Sequence, residues 1–329
     1  MMVSICIPVY GVEKYIERCA RSLFEQSYDD IEYIFVNDCT KDNSIVILKD
    51  IIEEYPQRKS HIRIINHLQN KGLAATRNTA VEAANGEFIL HVDSDDYLEL
   101  DGVELLMTKQ KEGNYDLIPT SLHVIYKGYD TIRPFPSVYS PKELSLLLLS
   151  RKVPLGVAGK LIRKSLYVDN RIKTIEGINM GEDYQITPRL AFFAKRVATL
   201  NRYIYNYDCT NEQSITASFN INKTYQVFAA LDVLHSFFVD KGGQFKDALA
   251  EAHTKILCRE LINFALSNGD KKDYVCLKSE IPKLNKTAIR NENIFYQVLL
   301  MINNKTILRI YVLTITTLNR IRKRIQICK

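Results

Sequence analysis

The sequence predicts an α/β fold, a mostly parallel sheet flanked by helices and followed by a helical C-terminal region. Three observations predict it. Short β-branched runs alternate with amphipathic stretches through the first half, the pattern of βαβ units. Carboxylates and an aromatic ring stand just after the predicted strands, where open α/β sheets place their ligands. From about Tyr184 onward, long apolar runs at helical spacing replace the alternation.

Val3 to Val9 reads as the first strand, and Val12, Ile16, Cys19, Ala20, Leu23 and Phe24 then recur on one helical face. Glu32 to Asn37 is a second strand, Ser44 to Tyr55 a helix, and Ile62 to Asn66 a third strand. Leu73 to Ala84 is a helix closed by Asn85-Gly86, and Glu87 to Val92 a fourth strand. A helix near Gly102 to Lys111 and a strand at Asp116 to Thr120 follow. Ser140-Pro-Lys-Glu143 announces another helix, with serine to cap, proline in the first turn and glutamate to close a capping box. Tyr225 to Asp240 and Phe245 to Leu266 are the two long helices of the C-terminal region.

With 329 residues, 46% of them hydrophobic, the chain can bury a full core, so disorder is excluded. The seven cysteines form no CxxC pair, which fits a reducing compartment. No basic stretch or cleavage site precedes Val3-Ser-Ile-Cys-Ile-Pro-Val9, so a cytoplasmic location is expected. Net charge is +6, and residues 301–329 carry seven bases and no acid, leaving 37 bases against 38 acids elsewhere. The apolar stretch Ile310 to Leu318 is shorter than the roughly 20 residues a membrane span needs. A basic amphipathic helix lying on an anionic membrane surface is the sharper expectation for this tail; a solvated helix end is the plainer one. Nucleic-acid binding is not expected, because no aromatic follows Tyr311 to stack on bases.

The acidic run Asp93, Asp95, Asp96, Glu99, Asp101, Glu104 contains no Lys or Arg between Glu87 and Thr108, a crowding that is costly without a cation. If the chain there is extended, Asp93 and Asp95 point the same way, as oxygen ligands of Mg²⁺ or Mn²⁺ would. An EF-hand is excluded, since its sixth position is Leu98 where glycine is needed.

Pro8-Val9-Tyr10, Asn37-Asp38-Cys-Thr-Lys-Asp42, Asn70-Lys-Gly-Leu-Ala-Ala-Thr-Arg77-Asn78, Gly86-Glu-Phe-Ile-Leu-His-Val-Asp93-Ser94-Asp95-Asp96 and Gly181-Glu182-Asp183 together resemble the family 2 glycosyltransferases of the GT-A (Rossmann-like) fold. The resemblance covers residues 1 to about 210 and implies a metal-dependent, inverting transfer of a sugar from a nucleotide diphosphate donor, expected to be a UDP-sugar. It implies that Tyr10 stacks on uracil, that Asp38 accepts its N3 hydrogen and that Pro8 shapes that pocket. Lys71, Arg77 and Ser94 would lie against the donor, Asp93 would bind ribose, Asp95 would hold Mn²⁺ or Mg²⁺, and Asp183 would be the general base. Plainer readings are core packing for Tyr10, a surface charge for Arg77 and a helix cap for Asp183.

Two features depart from the family pattern. Cys39 replaces the usual glycine, and cysteine tolerates a positive φ poorly, so the turn after Asp38 is expected to differ. The chain has no tryptophan and therefore no Gln-x-x-Arg-Trp motif of the processive synthases, which implies one sugar transferred per encounter. The resemblance places the activity in bacterial surface-polysaccharide assembly, on a glycan or lipid-linked acceptor. The competing reading is a non-catalytic homologue that binds a nucleotide or glycan as a membrane-surface partner. The expected organisation is a GT-A domain over 1–215, a helical region over 216–300 and the basic tail over 301–329.

Overall fold

The computed structural model describes residues 1–211, 219–267 and 269–327, which cluster into two compact units. The larger comprises Met1–Leu148 and Lys152–Ser214. Its strands are β1 (Val3–Val9), β2 (Ile31–Asn37), β3 (Ile62–Asn66), β4 (Phe88–His91), β5 (Tyr97–Leu98), β6 (Leu117–Tyr126), β7 (Tyr129–Arg133), β8 (Lys160–Arg163) and β9 (Leu200–Asp208). The helices are α1 (Ile16–Phe24), α2 (Ser44–Glu54), α3 (Leu73–Ala83), α4 (Gly102–Gly113), α5 (Pro141–Leu149), α6 (Lys164–Val168) and α7 (Glu182–Phe193).

The strand order is β3-β2-β1-β4-β8-β6-β9-β5, with β7 added at β6. β1 pairs in parallel with both β2 and β4, so the order reverses at β1 and a crevice opens beyond its carboxyl end. Helices cover both faces, which is why these strands read as continuous apolar runs rather than alternating ones. Val3, Ile5, Ile7 and Val9 pack with Leu23, Phe24, Ile51 and Leu106 on one face. Cys6, Ile34 and Val36 pack with Ala80, Leu144, Ile186 and Leu190 on the other. Each fully buried large side chain of this kind contributes about 1.5–3 kcal/mol.

Gly86 shows how close the backbone packs, because a Cβ there would stand 2.6 Å from the Ser4 hydroxyl and 2.7 Å from the Met2 carbonyl oxygen. From Tyr184 on the chain is mostly helical, as expected, with one strand, β9, interposed after α7 and paired with both β6 and β5. Two expectations need correction. The strand begun near Asp116 runs on to Tyr126 and folds back through Lys127-Gly128 into β7, because β9 gives its second half a pairing partner.

The turn after Asp38 is the second. Cys39 takes the left-handed conformation at φ 58°, as a glycine would. The Asn37 side chain accepts the Thr40 N–H at 2.9 Å, and the Thr40 hydroxyl accepts the Gly11 N–H at 2.9 Å, which together hold the turn. The left-handed region costs a non-glycine residue about 1–2 kcal/mol, against about 0.4–1 kcal/mol gained from a less flexible unfolded chain. Cys39→Gly is therefore expected to stabilise the protein by about 0.5–1 kcal/mol; a urea midpoint that stays put or falls would show that the strain is relieved elsewhere.

The second unit comprises Leu149–Arg151 and Ile215–Lys329. It contains α8 (Ile221–Phe238), α9 (Gly243–Leu266), α10 (Lys271–Lys278), α11 (Lys286–Asn291), α12 (Ile294–Met301) and α13 (Lys305–Ile327). Leu257, Leu261, Phe264, Leu299, Leu308 and Val312 form its core. The segment expected to be a basic arm is therefore half integrated: Leu308 and Val312 are buried while Ile307, Ile310, Leu313 and Leu318 on the same helix are exposed. Arg320, Arg322, Lys323, Arg324 and Lys329 lie outside the described side chains. Among the described residues no helix is long and apolar enough to cross a membrane.

Candidate functional site

The carboxyl ends of β1, β2 and β4 bring Tyr10, Asp38 and the Asp93–Asp96 loop to one edge of the sheet, and α3 and α7 bring Arg77 and Asp183 to the same place. Tyr10 is 53% exposed, so its ring is not part of the core. Pro8, one residue before the end of β1, is half-buried.

Asp38 is nearly enclosed. Its carboxylate accepts the backbone N–H groups of Lys71 and Gly72, each at 2.8 Å, and lies 2.7 Å from His67 Nδ1. These bonds pin the loop that starts α3 and leave the Lys71 side chain in solvent. Contact with a uracil N3–H, implied by the resemblance, would add a fourth donor to a side chain that is 4% exposed.

The Asp93–Asp96 loop does not stay extended, because a turn at Ser94-Asp95 brings the Asp96 N–H to the Asp93 carbonyl at 3.0 Å. The two carboxylates expected to share a direction therefore part. Asp93 Oδ1 accepts from Arg77 at 2.9 Å, whereas Asp95 Oδ2 accepts from Asn211 Nδ2 at 2.9 Å. Ser94 is buried between them. Tyr205 of β9 braces the loop, donating its hydroxyl to Asp96 at 2.6 Å and accepting the Asp93 N–H at 3.0 Å. Arg18 reaches over from α1 to the Asp95 carbonyl at 2.8 Å and to Asp208 at 2.7 Å.

Burial, with Asp93 and then Asp208 nearby, pushes the Asp95 carboxyl above the usual carboxylate range. A hard cation beside it would relieve that crowding, and carboxylate oxygen is the donor chemistry that Mg²⁺ and Mn²⁺ take, so the residues fit such an ion. Among the described residues no three His, Cys, Asp or Glu side chains are arranged to hold a metal by themselves. A bound ion would complete its shell from the ligand it accompanies.

Arg77 is 3% exposed and is not a surface charge. It spans the crevice, from Asp93 on one side to Glu182 at 3.4 Å and Asp183 at 3.5 Å on the other. The caps of α7 also differ from expectation: Gly181, at φ 90°, occupies the N-cap, so Asp183 sits in the first turn and caps nothing. Asp183 Oδ1 has no hydrogen-bond donor. Burial and then the nearby Asp93 carboxylate raise the Asp183 carboxyl above its ordinary value, with Arg77 opposing. Lys160 at the start of β8, buried against the Phe135 ring and donating to the Gly156 carbonyl, is pushed down to about 8 by burial.

The sequence reading missed Arg18, Lys160, Tyr205, Asp208 and Asn211. The tyrosines at 203, 205 and 207 alternate as a strand would place them, and that alternation was the available signal.

The glycosyl transferase family 2 model matches residues 4–167. The putative glycosyltransferase EpsH of Bacillus subtilis is 31% identical over 286 residues, covering 84% of this chain and 81% of that protein. Glycosyltransferase GlyA of Streptococcus pneumoniae is 30% identical over 222 residues, but the match spans only 30% of its length. Staphylococcus aureus TarS 1–349, solved in complex with UDP-GlcNAc, superposes with a TM-score of 0.73 at 20% identity, over 96% of this chain and 92% of that one. That likeness establishes the shared fold, a GT-A-like sheet with a helical C-terminal region.

Proposed function

The chain belongs to glycosyl transferase family 2, and from that premise we propose that it is an inverting, divalent-metal-dependent enzyme moving one sugar from a UDP-sugar to an acceptor hydroxyl. The observation that carries this reading is Arg77, a buried guanidinium joining Asp93 at the mouth of the β1/β4 crevice to Asp183 in the first turn of α7. One donor-side carboxylate and one base are thereby held to a common centre.

Tyr10 offers its exposed face to the uracil, with Pro8 shaping the floor. Asp38 serves through the loop it pins, setting Lys71 and the start of α3 against the donor. Asp93 receives the ribose, and Ser94 fixes the turn that aims Asp95. Asp95 would hold Mn²⁺ or Mg²⁺, which supplies positive charge against the diphosphate as the sugar–phosphate bond breaks. Asp183, raised by burial and carrying an oxygen without a donor, takes the proton of the attacking acceptor hydroxyl. The acceptor oxygen bonds to the anomeric carbon, the sugar–phosphate bond breaks and UDP leaves. One displacement with one base inverts the configuration and needs no second nucleophilic carboxylate.

The uracil preference is supported by the accessible ring at Tyr10 and by the UDP-GlcNAc complex of TarS. Titration of UDP and GDP with and without Mn²⁺ tests the donor assignment: Mn²⁺-dependent binding of UDP alone is expected. Binding of neither nucleotide would leave the non-catalytic reading.

The acceptor reading, a glycan or lipid-linked saccharide of surface-polysaccharide assembly at the cytoplasmic face of the membrane, is supported by α13. Ile307 and Ile310 are exposed on that helix, and the sequence of residues 301–329 carries no acid. Because Leu308 and Val312 belong to the core, the informative truncation removes only residues 319–329. It is expected to weaken flotation with anionic vesicles at least about tenfold, as each basic residue near such a surface contributes about 1 kcal/mol. Unchanged flotation would end the membrane reading.

A further inference from the structure

Three carboxylates face one another in the crevice, and one guanidinium serves them all. Arg77 approaches Asp93 at 2.9 Å, a charge-assisted distance. To Glu182 Oε1 its Nε and Nη2 both stand at 3.4 Å, and its Nη1 has no partner although it is buried. The Glu182 side chain is 8% exposed, while those of Asp93 and Asp183 are 28% and 24% exposed. Neither Glu182 at 3.4 Å nor Asp183 at 3.5 Å meets Arg77 at the 2.7–2.9 Å of a full charge-assisted pair, so the guanidinium does not neutralise both acids, and what separates the two is how far each reaches solvent.

We propose that Glu182 is a positioning residue that carries a proton in the resting enzyme, so that Arg77 pairs with Asp93 and Asp183 remains the ionised carboxylate able to accept the hydroxyl proton. The inference deepens the proposed function and rests on it for the role of Asp183. Two adjacent carboxylates in a buried turn cannot both ionise cheaply. The more enclosed one keeps the proton and the one that reaches solvent keeps the charge. Neutral Glu182 still accepts from Arg77 through its carbonyl oxygen, which holds the guanidinium in place without cancelling its pull on Asp93. Burial and then Asp183 push the Glu182 carboxyl up to about 8, in line with that assignment.

The groups facing Glu182 are Arg77 from α3, Asp93 from the loop after β4 and Asp183 from its own helix. Lys160 of β8 bears on it through Asp183, and Tyr205 of β9 through Arg77. Above the raised value Glu182 loses its proton, and the new charge competes with Asp93 for Arg77. Turnover in the wild type should then decline on the alkaline side of about pH 8. Lys160 titrates in the same region, so its variant is needed to apportion the decline.

The test compares kcat over pH 5.5–9.5, with UDP binding as a fold check, in Glu182→Gln, Glu182→Ala, Lys160→Met and Asp183→Asn, on a scale set by general-base catalysis. Glu182→Ala is expected to lose about a hundredfold in kcat, and Glu182→Gln, an isostere of the protonated acid, to recover to within about fivefold of wild type and lose the alkaline decline. Retention of that decline in Lys160→Met assigns it to Glu182. If Glu182→Gln falls as far as Asp183→Asn, Glu182 works as an anion and this inference is wrong. If Asp183→Asn itself turns over normally, the base assignment fails, and that outcome is read independently of the glutamine variant.

Discussion

Asp183→Asn is expected to lower transfer at least about a hundredfold while leaving metal-dependent UDP binding unchanged, because general-base catalysis of this kind supplies about 10²–10⁴ in rate. The asparagine keeps the size of the side chain and the first turn of α7, so the loss measures the missing proton acceptor. The donor side is insulated from the change, since Asp93 holds Arg77 by its own 2.9 Å bond.

The pH profile gives the same conclusion an independent reading. The folded enzyme raises the Asp183 carboxyl above its ordinary value, so the ionised, active form appears only as pH climbs through that raised value. The acidic limb of kcat should therefore lie above the usual carboxylate range and vanish in Asp183→Asn. The same sign governs stability. An acid whose folded value is raised binds protons more tightly in the native state, so its ionisation disfavours the fold as pH rises through that value. Removing the charge should leave the protein as stable near neutrality or more so. A variant that both turns over normally and keeps the acidic limb would take Asp183 out of the chemistry.

How much of this could be read from the residues depends on where each partner lies in the chain. β1 to β4 were legible because a parallel sheet buried on both faces writes itself as uninterrupted β-branched runs such as Val3-Ser-Ile-Cys-Ile-Pro-Val9. β9 was not, because Leu200-Asn-Arg-Tyr-Ile-Tyr-Asn-Tyr-Asp208 mixes polar and aromatic residues and is ordered by pairing with β6, more than seventy residues earlier. A still longer separation hid Arg18, whose partner Asp208 is 190 residues away.

Asp93, Asp95 and Asp183 were legible as residue types at strand and helix ends. Their directions were not. The period-two argument that put Asp93 and Asp95 on one face failed at the Ser94-Asp95 turn, and only the turn shows that the first belongs to Arg77 and the second to Asn211. Cys39 marks a different limit. Its left-handed φ is imposed by Asn37 and Thr40 around it, which outweigh the residue's own preference.

Asp95→Ala carries the second large effect. In the wild type Mn²⁺ is expected to tighten UDP binding, and in the variant that metal dependence should disappear with transfer at least about a hundredfold lower, the scale on which charge stabilisation at a leaving group acts. Asp95 is the residue proposed to hold the ion, so its loss is expected to remove the protein's own hold on it. Asp95 stands in an environment that disfavours its own charge, pressed by burial, Asp93 and Asp208. Without metal the variant should therefore melt at the same temperature as the wild type or higher, and the ordering should reverse when Mn²⁺ and UDP are added together, since ligand that binds only the native wild type stabilises it by mass action. A variant that keeps Mn²⁺-dependent UDP binding would move the ion away from Asp95. One that binds UDP equally well with and without metal, and transfers sugar at the wild-type rate, would mean that the basic groups around the crevice neutralise the diphosphate unaided.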